Sequence, residues 1–150
     1  VPYNLLTRDA ERELIPMAEA FGLTAATWGP LAAGKLTAAS SGRRFAATDL
    51  GPATVAVREV AAELGATPAQ VAIAWTRAKS RAVHPIIGAG TVEQLTDNLG
   101  AVDVVLPPEA VRRLESATDF TAGFPTDFIA LAERDPRVFG NDYALIDGRS

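Results

Sequence analysis

Two short stretches bring together residue types that can hold an anion. Thr27–Thr37 reads TWGPLAAGKLT, an indole followed at once by Gly29-Pro30 and a run of small residues. Gly88–Gln94 reads GAGTVEQ, two glycines ahead of a Thr-x-x-Gln helix start. Glycine and alanine leave backbone N–H groups accessible, and a helix N-terminus adds unpaired donors and a positive dipole end, so the chemistry on offer is phosphate binding. The second stretch is not a Rossmann fingerprint, because G-x-G-x-x-G would need a third glycine where Glu93 stands. Taken alone, it is a strand-to-helix turn with a capping box, and Trp28 alone is a core tryptophan at a strand end.

The elements that must position these stretches follow from periodicity and punctuation. From Asp9 to Phe21, Leu14, Ala18 and Phe21 recur at helical spacing; Asp9 can cap, Pro16 introduces a kink, and Gly22 suits the left-handed position past the end. The Glu11-Arg12-Glu13 run reads as the solvated face of that helix. Leu23–Trp28 has no charge and reads as a mostly buried strand, followed by a long loop to about Pro52. Val57, Val60, Ala61 and Leu64 mark a helix that ends at Gly65. Thr67-Pro68-Ala69-Gln70 then opens another, with Val71, Ala74, Trp75 and Ala78 as its buried stripe.

Val83–Gly88 is a second uncharged strand, in which His84 is a structural residue near the start. The helix after it begins at Thr91 and turns Leu95 and Leu99 inward, and Pro107-Pro108-Glu109 opens a last helix to about Thr118. The segment from Phe120 onward is rich in phenylalanine and reads as draped over the protein rather than disordered.

Composition bounds the function classes. A chain of 150 residues, 48% hydrophobic and 21% charged, suggests one folded domain. Fourteen basic against 18 acidic residues, a net charge of −4, give no electrostatic footprint for nucleic acid. The absence of cysteine excludes a disulfide scaffold and a thiolate nucleophile, and one histidine excludes a His-rich metal site. No apolar run is long enough for a membrane span and no signal pattern opens the chain, so the expectation is a cytoplasmic protein with neither membrane nor nucleic-acid partner. The chain opens on Val1, and its single methionine, Met17, falls inside a helical pattern, which reads as though sequence is missing in front.

The alternation of strands and helices predicts an α/β fold with a parallel sheet and right-handed crossovers, and chemistry at the carboxyl ends of the strands. In an eight-stranded α/β barrel, a phosphate is often held by the loops after the last two strands and a following helix N-terminus, which fits both glycine-rich turns.

YNLLTRDAEREL, TWGPLAAGKLT and IIGAGTVEQLTDNLGAV, with the closing GFPTDF and LIDGR, resemble the C-terminal half of an aldo-keto reductase, and the resemblance runs along nearly the whole chain. It implies the C-terminal half of a TIM (β/α)8 barrel over residues 1–150, about three parallel strands (the sixth to eighth) with flanking helices. Trp28 would stack on a nicotinamide ring. Gly29, Pro30, Leu31, Ala32 and Ala33 would line the pyrophosphate, and Arg44 would approach the adenosine phosphate. Gly88 opens the second turn, where Gly90, Thr91, Gln94, Asp97 and Asn98 would hold the adenosine end.

The implied cofactor is NADP(H), with NAD(H) the alternative because Gly90-Thr91 replaces the Ser or Arg often found near the 2′-phosphate, leaving Arg43 and Arg44 as the candidates for that role. Family members often read G-x-L-T-G-K in the first loop, where this chain has Ala38-Ala39 and an earlier Lys35. The family's catalytic Asp, Tyr, Lys and His belong to the first half of the barrel; Tyr3, Lys79 and His84 do not replace them.

The resemblance thus implies the cofactor-binding half of an oxidoreductase, with a small carbonyl compound as substrate of the complete barrel. The alternative is a non-catalytic truncated product, or a nucleotide-binding half-barrel that self-associates through open sheet edges.

Overall fold

Thr67 Oγ1 accepts the Gln70 N–H at 3.2 Å and Gln70 Oε1 accepts the Thr67 N–H at 3.1 Å, closing the expected capping box with Pro68 at the first helical position. The helix it opens runs Pro68–Lys79 and lies at the centre of the fold. The computed structural model describes residues 1–37, 50–140 and 142. In chain order the elements are α1 (Leu14–Ala20), β1 (Ala25–Trp28), α2 (Pro52–Leu64), α3 (Pro68–Lys79), β2 (Val83–Ile86), α4 (Val92–Leu99), α5 (Pro108–Ser116), α6 (Thr126–Arg134) and α7 (Pro136–Phe139). Short 3-10 segments occupy Asp9–Glu11, Ala32–Thr37 and Gly100–Val102. Residues 1–120 form one unit, and 121–150, with α6 and α7, a second.

The core of the first unit is built around Trp75 of α3, which is fully buried and meets Tyr3 with ring centroids 5.3 Å apart. Val57, Val60 and Ala61 of α2, Val71 of α3, Leu114 of α5 and Val83 of β2 belong to the same cluster. Residues 71–76 of α3 are all buried, so this helix is covered nearly all round rather than along one stripe; Ala78, expected to be buried, is exposed. In the last turn Arg77 and Lys79 reach neighbouring elements, Arg77 donating to Ala101 O at 3.1 Å, while Ala78 lies on the open side.

β1 and β2 pair in parallel, Ala25 opposite Val83 and Trp28 opposite Ile86. Both are shorter than the uncharged runs suggest. The expected third strand is reduced to one parallel bridge, Pro2 with Trp28, where Tyr3 N–H donates to Trp28 O (3.1 Å) and Trp28 N–H to Val1 O (2.9 Å). The Val1 amino group also donates to Ala26 O at 3.0 Å, and past Tyr3 the chain turns away through paired hydrogen bonds between Asn4 and Thr7.

The strands are not mostly buried. Thr27 and Val83 point into the core, whereas Ala26, Trp28, His84 and Ile86 share an exposed face, consistent with the two-residue period of a strand. Absence of charge marked an apolar face without saying what covers it.

The N-terminal helix is also corrected. Asp9 caps no α-helix: Asp9–Glu11 is a 3-10 turn, and α1 starts only at Leu14, so Pro16 falls in its first turn and interrupts no hydrogen bond. Ile15 and Ala18 are its buried residues, while Leu14 and Phe21 are exposed. Gly22 (φ 63°) does close it in the left-handed conformation, with Leu23 N–H on Ala18 O at 2.7 Å and Gly22 N–H on Glu19 O at 3.2 Å.

Glu11 is not on a solvated face. Its carboxylate accepts from Arg8 Nε (2.8 Å), Arg8 Nη2 (2.9 Å) and the Tyr3 hydroxyl (2.9 Å), with Lys79 Nζ at 3.7 Å. Lys79 also donates to Glu115 at 2.7 Å, and the Arg8 guanidinium lies 4.4 Å from the Phe120 ring centroid. Arg12 and Glu13 are exposed as expected.

Candidate functional site

Beyond Trp28 the chain turns on Gly29 (φ 71°), and Ala32 N–H closes the turn on Gly29 O at 2.9 Å. Ala32 (φ 50°), Ala33 (φ 55°) and Gly34 (φ 87°) then follow one another in the left-handed region. An L-residue there costs about 1–2 kcal/mol, so two consecutive alanines hold the backbone in a conformation that only their surroundings maintain. Leu36, fully buried, anchors the far end of the segment.

Beyond β2, Ile87 and Gly88 lead to Thr91, which caps α4 by accepting Gln94 N–H at 3.3 Å. Only half of the expected capping box forms here. The Gln94 side chain reaches past Thr91 and takes the Gly90 N–H on Oε1 at 2.8 Å. The Glu93 carboxyl is held below its usual range by its own backbone N–H and the Thr91 hydroxyl. In this state the chain's own oxygens thus accept from the turn, and an incoming anion would compete with them.

The two loops enclose a cleft of about 370 Å³, lined by Gly29, Pro30, Leu31, Ala33 and Gly34 on one side and by Ile73, Ile86, Ile87, Gly88 and Asn98 on the other. This lies within the ~300–1,000 Å³ range of small-molecule sites. Trp28, 57% exposed, stands one residue before the cleft wall and in register with Ile86.

Of the residues singled out in the sequence, Gly29, Pro30, Leu31, Ala33, Gly88 and Asn98 come together in this cleft. Trp28 borders it through Ile86, and Ala32 closes the first turn. Gly90, Thr91 and Gln94 lie on the exposed turn that follows. Asp97 faces α3, where its carboxylate accepts from Thr67 Oγ1 and Gln70 Nε2, both at 3.1 Å. Arg43, Arg44, Ala38 and Ala39 lie outside the described residues.

Leu95 and Leu99, expected inside, are 43% and 52% exposed; the buried residue of α4 is Asn98. Gly34, Ile73, Ile86 and Ile87 were missed as lining residues. The Ile-Ile pair just before Gly88 was the available signal for two of them; nothing marked Ile73, which reads as one more apolar residue of α3.

Among the described residues no group of three or more His, Cys, Asp or Glu could hold a metal ion, and no helix is long and apolar enough to cross a membrane. A parallel strand pair with glycine turns at both carboxyl ends, opening on one cleft, is an α/β arrangement with its candidate site at the carboxyl ends of the strands.

The chain belongs to the aldo/keto reductase family, an oxidoreductase family whose profile matches residues 1–119. It is similar to a probable aryl-alcohol dehydrogenase of Saccharomyces cerevisiae, 34% identical over 143 residues, covering 85% of this chain and 44% of that protein. An NADP(+) aryl-alcohol dehydrogenase of Phanerodontia chrysosporium is 36% identical over 141 residues, covering 82% and 37%. Among solved structures, a thermostable aldo-keto reductase in complex with the inhibitor epalrestat superposes with a TM-score of 0.64 at 30% identity, covering 78% of this chain and 38% of that one. The chain thus spans less than half the length of each of these relatives.

Proposed function

We propose that these residues are the cofactor-binding half of an NAD(P)H-dependent aldo-keto reductase, the sixth to eighth strands of a TIM barrel, acting on an aldehyde or ketone. The observation that carries this reading is the meeting of the two glycine-rich turns across one cleft beside an exposed indole. A dinucleotide fits this arrangement. Added Cβ atoms at Gly29 and Gly88 would meet nothing within 4 Å, so the backbone there faces open space. Bound there, the cofactor would supply the hydride.

The chain's own residues bind and orient. Trp28 offers a flat face to the nicotinamide, and Gly29 through Ala33 keep side chains away from the pyrophosphate. Gly90, Thr91, Gln94, Asp97 and Asn98 would form the adenosine end, and Arg44, which lies outside the described residues, is the candidate for its phosphate, so NADP(H) is the proposed cofactor with NAD(H) the alternative.

Calorimetric titration of the chain with NADPH is expected to show saturable binding, weakened by about 3–10-fold in Trp28→Ala, the worth of one aromatic stack. NADH should bind more weakly, and salt should narrow the difference. Equal affinity of wild type and Trp28→Ala would remove Trp28 from the site.

The exposed face of Ala26, Trp28, His84 and Ile86 favours a second reading, a half-barrel that self-associates. β2 has no partner beyond β1 among the described residues, and parallel sheets are ordinarily covered on both faces. Sedimentation is expected to show a weight-average mass that rises with concentration; a monomer at every concentration would set this reading aside.

A further inference from the structure

The Gly29 carbonyl accepts two hydrogen bonds. One closes the local turn, from Ala32 N–H at 2.9 Å. The other comes from 25 residues away, the Asn4 carboxamide Nδ2 at 2.8 Å. Asn4 is 5% exposed, and its Oδ1 accepts the Leu6 N–H at 2.9 Å, so both ends of the amide are engaged and its orientation is fixed by chemistry: donor to a carbonyl, acceptor from an amide. Its backbone is held as well, by reciprocal hydrogen bonds with Thr7. On the opposite wall of the cleft Asn98, 6% exposed, donates from Nδ2 to Gly88 O at 3.2 Å. Each strand is thus followed by a glycine whose carbonyl is held by a buried asparagine.

We infer that Asn4 is a positioning residue of the cleft, fixing the Trp28–Ala32 turn without touching the ligand. Its donor keeps the partial negative charge of the Gly29 oxygen directed toward protein N–H groups and away from an incoming phosphate. The Gly29 oxygen belongs to the Gly29–Pro30 peptide, in which the proline ring fixes one flanking torsion; the other, Gly29 ψ, has no side chain to hinder it and is the torsion that the Asn4 donor restrains. The ligand half of this assignment rests on the cofactor reading above; the control of the turn does not.

Asn4→Asp separates the two roles of the side chain: the carboxylate still accepts the Leu6 N–H but opposes the Gly29 oxygen. Asn4→Ser, which is too short to reach Gly29, provides a second variant should the buried carboxylate prevent folding. In a proton–nitrogen correlation spectrum of the 150-residue chain, hydrogen exchange at the Ala32 amide is expected to accelerate about tenfold in either variant. The Trp28 indole resonance should shift while that of the buried Trp75 stays in place. The NADPH dissociation constant should rise by about tenfold.

Unmoved Ala32 and Trp28 signals in a folded variant would overturn the assignment, as would an unchanged dissociation constant in a variant whose turn has loosened. If the wild-type chain has no NADPH affinity, the cofactor reading fails alone, and movement of the Ala32 and Trp28 signals still upholds control of the turn by Asn4.

Discussion

Glu11→Ala is expected to lower the unfolding free energy by about 3–5 kcal/mol, the range for removing one partner of a buried ion pair. Arg8 is 7% exposed and Glu11 14%, and the carboxylate accepts both Arg8 nitrogens and the Tyr3 hydroxyl. Its loss strands a guanidinium in the interior and a phenol without an acceptor. Glu115, 3.8 Å from Arg8 Nη2, offsets part of the loss, which favours the lower end of the range. The exposed Arg12–Asp9 pair, 45% and 72% accessible, is the control: Asp9→Ala should change stability by less than about 1 kcal/mol.

The same cluster sets two pH limits. Burial by itself would raise the Glu11 carboxyl, but the hydrogen-bonded Arg8 guanidinium, with Tyr3 and Lys79, outweighs it and holds the pKa below the ordinary value. A depressed carboxylate contributes stability above its unfolded pKa of about 4.3 and loses it as pH falls through the lower folded value. Glu11→Gln should remove that part of the acid limb. Tyr3 is shifted the other way, raised by burial and then by the Glu11 charge. Its contribution is complete below its unfolded pKa of about 10 and declines as pH rises beyond it. Urea denaturation of wild type and Tyr3→Phe across pH 7–11 checks this: the alkaline decline should be smaller in the variant.

The second large effect concerns activity. With NADPH and an activated aromatic aldehyde, the 150-residue chain is expected to turn over at least about 100-fold, and up to about 10,000-fold, more slowly than a complete barrel, the usual contribution of a positioned general acid. Tyr3 is fully buried with its hydroxyl on Glu11. His84 is the second residue of β2, away from the carboxyl end, with Nδ1 3.1 Å from Ala82 O. Lys79 is paired with Glu115. None of the three lines the cleft between Gly29 and Gly88, and Tyr143 lies outside the described residues. Aldehyde-dependent NADPH oxidation at a rate comparable to a full-length relative, abolished by Trp28→Ala, would show that these residues carry an acid of their own.

Local signals were readable in the sequence because they are local. Thr67, Pro68 and Gln70 placed the start of α3, and Gly22 and Gly65 marked the ends of α1 and α2, because caps and left-handed glycines act within one turn. The two glycine-rich turns that meet in the cleft were visible for the same reason. What could not be read depends on distant partners. The charge-free run ending at Trp28 promised burial, but one face of the strand is open. Leu95 and Leu99 have the spacing of a buried stripe and remain exposed. Glu11 resembled any charged helix residue until Arg8, Lys79 and Tyr3 closed around it. Asn4 gave no sign, since its partner Gly29 is 25 residues away. The left-handed alanines at 32 and 33 likewise run against the preference of their residue type.

The Arg8–Thr118 hydrogen bond, 3.3 Å long and spanning 110 residues, bears on synthesis. Glu11, three residues on, can pair with Arg8 as soon as both are made, whereas the contacts of Arg8 with Glu115 and Thr118 must wait for α5. Glu115 lies near the end of α5, the last helix of the first unit, and Thr118 just beyond it. Closing so long a loop is slow, and contacts this far apart in sequence come late in folding. The packing of Arg8 against Glu115 and Thr118 is therefore reached only after α5 has left the exit tunnel.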